Sequence, residues 1–166
     1  SVQRCGIYNS LSQLLVRLAS PGVPDFYQGS ELWDLSLVDP DNRRPVDYDE
    51  RFKLLKHIQS QWRKDPNFLI EDLINHLDDG WIKLFVVFRG LAARKEFADV
   101  FANGDYTPLR VTGTHAERVI AFSRQAEDER VVAIAPRFFA GLVNTDTLPV
   151  GRDVWDDTAV ELAGVD

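Results

Sequence analysis

The chain has 166 residues, 45% of them hydrophobic and 27% charged, with a formal net charge of −7. That balance suits one or two small domains with a real core, and the acidic charge without any basic run argues against nucleic acid or anionic membrane as partner. The single cysteine, Cys5, allows neither an internal disulfide nor a cysteine metal cluster, and no apolar run is long enough to span a bilayer. No signal peptide is recognisable. The sequence opens at Ser1 and contains no methionine, which predicts a piece excised from a longer protein.

Residues 1–20 predict a helix, because Ile7, Leu11, Leu14, Leu15 and Leu18 recur at helical spacing. Ser20-Pro21-Gly22 stops it, and Cys5 and Tyr8 read as packing residues. Val23 to Tyr27 is a short apolar run, broken by Asp25, that predicts a buried strand. Gly29 then lets the backbone turn into a long polar loop. Asp47 or Asp49 caps a second helix from about Tyr48 to Trp62, with Phe52, Leu54, Leu55, Ile58 and Trp62 as its buried side. Pro66 opens a third, with Phe68, Leu69, Leu73, Ile74 and Leu77 apolar, closed by Asp78-Asp79-Gly80. A fourth runs from Trp81 to about Phe97. Gly90 weakens it, and Val86-Val87 also fits a strand. Its wide apolar face, with Leu84 and Val87, predicts a helix sandwiched between two bodies.

From Asn103 the period changes. Asn103-Gly104-Asp105 predicts a turn, and Tyr106–Val111, Arg118–Ser123 and Arg130–Ala135 predict an antiparallel sheet. The Gln125 to Asp128 patch punctuates it, and Asp153–Leu162 adds a further strand. Phe138-Phe139 reads as core rather than as an exposed patch.

The stretch from Pro21 to Tyr48 is the densest in chemistry. Trp33 sits among Glu31, Asp34, Asp39 and Asp41, and Arg43 and Arg44 follow. Aromatic faces beside carboxylates and arginines suit sugars: the ring stacks on carbon-bound hydrogens, and charged groups bond hydroxyls directionally. Long ordered loops of this kind are usually functional.

Gly22-Val23-Pro24-Asp25-Phe26-Tyr27-Gln28-Gly29-Ser30-Glu31 resembles the G-x-P-x-x-Y-x-G-x-E segment at the eighth barrel strand of the α-amylase superfamily. The unbroken continuation from Leu32 to Asp47, LWDLSLVDPDNRRPVD, is more specific. It resembles the maltooligosyltrehalose synthase family, and looser similarity extends to about Arg137. The resemblance implies an α+β fragment. It would hold the end of a TIM-type (β/α)8 barrel (helix, eighth strand, last helix), further helices, and a small C-terminal antiparallel β domain. The corresponding divisions are 1–63, 64–102 and 103–166, with the last expected to stop before the family's sheet is complete.

The implied activity is that of a glucanosyl mutase. The superfamily takes its nucleophile, acid/base and third carboxylate from strands four, five and seven, so all three would lie upstream of Ser1. No catalytic residue is therefore assigned, and pairing Glu31 with Asp39 or Asp41 as acid and nucleophile is set aside. The implied substrate-binding residues are Tyr27, Gln28, Glu31, Trp33, Asp34, Asp39, Asp41, Arg43 and Arg44, with Trp33, Asp39 and Arg43 leading. Each has a plainer reading. Glu31 pairs with an arginine as a loop brace, one of Arg43 and Arg44 forms a structural salt bridge, and Gly22 and Gly29 serve backbone geometry. His57, His76 and His115 share no metal-ligand spacing, and no cofactor is implied. The resemblance further implies a maltooligosaccharide as partner of the full-length enzyme and a cytoplasmic location. Leu14, Leu15, Leu18, Phe52 and Leu55 would need a substitute for absent barrel strands, which predicts self-association or local disorder. Two alternatives stay open: another amylase-type hydrolase or transferase, and a non-catalytic carbohydrate-binding or structural module.

Overall fold

The computed structural model describes residues 2–36, 43–143 and 147–162. The chain divides into two compact units, Pro24–Leu91 and Ser1–Val23 with Ala92–Asp166. Helices α1 (Val2–Ala19), α2 (Tyr48–Lys64), α3 (Pro66–Asn75) and α4 (Trp81–Glu96) fall where the apolar spacing predicts them.

The first unit is built on α2, α3 and the first part of α4. The Asp47 carboxylate accepts from the Glu50 N–H at 2.9 Å and caps α2. Acidic residues in the first turn and basic residues in the last complement the helix dipole. Asp65 serves both neighbours. Its backbone N–H donates to the Gln61 carbonyl at 2.8 Å, and its side chain accepts from the Phe68 N–H at 3.1 Å, with Pro66 entering α3. Ile58, Leu69, Leu73 and Leu84 form the core, and Ile58 has no exposed surface. Trp62 packs on Phe85 at 5.5 Å between centroids. Phe52 and Phe68 are 60% and 58% exposed, so neither joins the buried face expected of it. Val86-Val87 continue α4 as helix.

Residues 23–27 do not form the expected strand, and Val23 is 94% exposed. A parallel strand exists only through its neighbours' hydrogen bonds. All five strands among the described residues lie in the other unit and pair there with each other.

That unit holds an antiparallel sheet in the order β1–β3–β4: β1 (Asp105–Pro108), β3 (Val119–Ala126) and β4 (Glu129–Pro136). Strand β3 outlasts its expected end and turns at Glu127, whose φ is 51°. The expected strand 106–111 is split. Pro108 closes β1, and β2 (Val111–Thr112) pairs instead with β5 (Ala159–Val160) in a separate ribbon. A short helix, α6 (Arg152–Trp155), occupies part of the expected strand 153–162. Another, α5 (Ala98–Asn103), precedes β1.

Helix α1 packs on β4, which buries Leu14 and Leu18 to 6% and 2% exposure, while Ala19 joins Phe122 and Ala133. Leu14 and Leu18 are thus buried within this unit. Arg124, 3% exposed, ties β3 to the end of α5 by donating Nη2 to the Gly104 carbonyl at 2.8 Å.

Candidate functional site

Within the helical unit the loop from Tyr27 to Ser36 is held at two points. At the first, Gly29 adopts φ 85°, and a Cβ there would meet a Val46 methyl at 2.9 Å, so only glycine fits without displacement. Arg51 reaches back from the first turn of α2. Its Nη2 donates to the Gly29 carbonyl at 2.8 Å, its Nη1 to the Asp47 carbonyl at 3.0 Å, and its Nε to Glu31 Oε2 at 3.0 Å. Glu31 is therefore a brace, and its partner is Arg51 rather than Arg43 or Arg44. Arg51 was not singled out from sequence. Its only local signal is a basic residue four positions after a capping aspartate.

The second point is Trp33. Its indole N–H donates to the Leu77 carbonyl at 2.8 Å. Gly80, with φ 83°, lets the chain pass so close that a Cβ would lie 2.9 Å from the Trp33 backbone nitrogen. Lys83 donates to the Leu32 carbonyl at 3.1 Å and stands 5.4 Å from the Trp33 ring. Trp33 thus fastens the loop to the α3–α4 junction and has no indole donor left for a ligand.

Tyr27, Gln28, Asp34, Arg43 and Arg44 are exposed. Asp34 accepts from the Ser36 N–H at 2.9 Å, and bonds from Ser36 hold its carboxyl below the usual range. Asp39 and Asp41 lie outside the described residues. Among the described residues the predicted set falls into two groups: Glu31 and Trp33, which hold the loop, and the exposed Tyr27, Gln28, Asp34, Arg43 and Arg44.

His57 lies edge-on to Trp81, and His115 lies edge-on to Trp155. His76 contacts Asp72, whose backbone carbonyl does most to raise the imidazole pKa. No group of three or more His, Cys, Asp or Glu among the described residues could hold a metal ion, and no described helix is long and apolar enough to cross a membrane.

No family model matches the chain. Proteins assigned as maltooligosyl trehalose synthase in two strains of Mycobacterium tuberculosis are 37% identical over 153 residues, 90% of this chain and 17% of theirs. The structure of maltooligosyltrehalose synthase from Arthrobacter ramosus matches with a TM-score of 0.71 and 36% identity, over 95% of this chain and 18% of that one. A further crystal structure of a maltooligosyl trehalose synthase matches with a TM-score of 0.60 and 25% identity, over 82% of this chain. The chain thus spans 17% of the length of the Mycobacterium tuberculosis proteins and 18% of that of the Arthrobacter ramosus enzyme. In sequence and in fold it is a homologue of one segment of the maltooligosyltrehalose synthases.

Proposed function

We propose that the chain is the C-terminal part of an enzyme that converts the reducing-end α-1,4 bond of a maltooligosaccharide into an α,α-1,1 bond. The observation that carries this reading is 37% identity over 90% of the chain to assigned synthases. In this reading residues 1–63 belong to the end of a (β/α)8 barrel, and 23–27 become its eighth strand once neighbouring strands supply the ladder. Barrel enzymes build their sites from loops at the carboxyl ends of strands, which is where the 27–44 loop would then lie. The catalytic carboxylates come from elsewhere in the protein, and this chain alone turns over no maltopentaose.

The reaction is intramolecular. A glycosyl-enzyme forms, the released glucose turns in place, and its anomeric hydroxyl attacks. The pocket must keep water out while glucose is held, since water would give hydrolysis. Tyr27, Gln28, Asp34, Asp39, Asp41, Arg43 and Arg44 are the side chains we assign to sugar hydroxyls. Glu31 and Trp33 keep the loop in position for them.

Arg43 tests the assignment in the full-length enzyme. Arg43→Lys keeps the charge and loses the planar fork of donors. Losing one charge-assisted bond is worth about 1.5–3 kcal/mol, or roughly tenfold to a hundredfold. If Arg43 holds the glucose, the ratio of trehalosyl product to free glucose falls while the melting temperature stays. An unchanged ratio with a lowered melting temperature makes Arg43 a brace. A wild-type enzyme that yields only hydrolysis products refutes the mutase reading itself.

A further inference from the structure

The sheet unit carries a groove of about 530 Å³ between α1 and the end of β4. That volume lies in the range of small-ligand sites. One wall is a polar face of α1 formed by Asn9, Ser12, Gln13 and Arg17, and the other ends in Arg137 and Phe138. Its floor is aliphatic and no carboxylate lines it.

Phe138 is the unusual residue. It is 59% exposed and takes φ 57°, a left-handed conformation that a bulky side chain rarely adopts. The surrounding structure enforces it. Phe139, next in sequence, is 2% exposed and packs at a tilt against the Tyr8 ring, 5.3 Å between centroids. Arg118 donates from Nη1 to the carbonyls of Phe138 and Ala140. Arg137 donates Nε to the Glu117 carbonyl at 2.8 Å and lies over the Phe138 ring at 4.7 Å. A glycine would meet the backbone requirement at lower cost, so folding alone does not explain a ring held out beside a groove. Strain of this kind is a pointer to function.

We propose that this groove binds an α-glucan chain, with Phe138 stacking on one glucose face while Gln13, Asn9 and Ser12 bond its hydroxyls. The chemistry fits a neutral ligand with alternating apolar faces and hydroxyl edges. An exposed ring and an aliphatic floor suit pyranose carbons, and amides both donate and accept. A cation would find no carboxylate here. The choice of an α-glucan rests on the proposed function, while the groove rests on its own geometry.

The test is titration of the 166-residue chain with maltopentaose, followed by amide shifts in NMR. Cellopentaose and inorganic phosphate serve as comparisons. Shifts at Gln13 and Phe138 are expected with maltopentaose. Phe138→Gly and Gln13→Ala should each weaken binding about threefold to tenfold, the size of one stacking contact or neutral hydrogen bond. Phe138→Gly relieves the left-handed strain, so its melting temperature should not fall, which separates lost binding from lost folding. The proposal is overturned by wild-type affinity in both variants, by equal affinity for cellopentaose, or by the absence of groove shifts with maltopentaose, whether or not phosphate produces them. Shifts confined to the 27–44 loop also remove the groove while leaving the proposed function standing. Trehalosyl product from the full-length enzyme is measured separately, so failure of that reading is seen on its own.

Discussion

Arg51 is the residue on which the loop's position rests, and its three donors have unequal value. The Nη2 bond to the Gly29 carbonyl is 2.8 Å long, and Gly29 is buried. Removing the guanidinium loses a bond worth about 1.5–3 kcal/mol and leaves that carbonyl without its donor, a desolvation penalty of about 1–3 kcal/mol that overlaps the first. The bond to the Asp47 carbonyl is exposed and adds little. The Glu31 pair, at 3.0 Å with side chains 18% and 27% exposed, is worth about 1 kcal/mol or less after screening. Arg51→Met should therefore cost about 2–4 kcal/mol and Glu31→Gln no more than about 1 kcal/mol. Urea unfolding followed by tryptophan fluorescence measures both, since Trp33, Trp62 and Trp81 lie in this unit. Equal losses would mean that the ion pair, and not the backbone bonds, holds the loop. A loss below about 0.5 kcal/mol in Arg51→Met would refute the brace altogether.

Two further outcomes follow from the same loop. Gly80→Ala forces a Cβ to 2.9 Å from the Trp33 backbone nitrogen at φ 83°, so it should cost more than the roughly 1–2 kcal/mol of left-handed strain alone. A shift in the urea midpoint equivalent to less than that would show that the loop yields freely. Asp34 has its pKa lowered first by the Ser36 side chain, so its stabilisation is present above the ordinary carboxylate pKa and is lost as pH falls through the folded-state value. Ser36→Ala should raise the Asp34 pKa part of the way back, as read by carboxyl carbon NMR, and no change would exclude the Ser36 hydroxyl as the leading cause.

Helices α1 to α4 are legible in the sequence because their causes are local. Apolar residues recur every three or four positions, and Asp47 and Pro66 mark two of the starts within one turn. The density of aromatic and charged residues in the 27–44 stretch, on which the proposed sugar binding rests, is legible for the same reason, being carried by neighbouring residues. Tertiary structure decided everything that depends on a partner far along the chain. Residues 23–27 have strand composition but no strand to pair with among the described residues, whereas β2 exists only because β5, far along the chain, pairs with it, Val111 opposite Val160 and Thr112 opposite Ala159. Phe138 and Phe139 are the same residue type side by side, yet one is buried against Tyr8 and the other is held out. Arg51 looks like any surface arginine in the first turn of a helix until Gly29 and Glu31 are brought within 3.0 Å of it. Periodicity and capping act over one turn of chain. Pairing, bracing and exposure depend on which distant backbone groups need a partner, and only the folded chain brings those groups together.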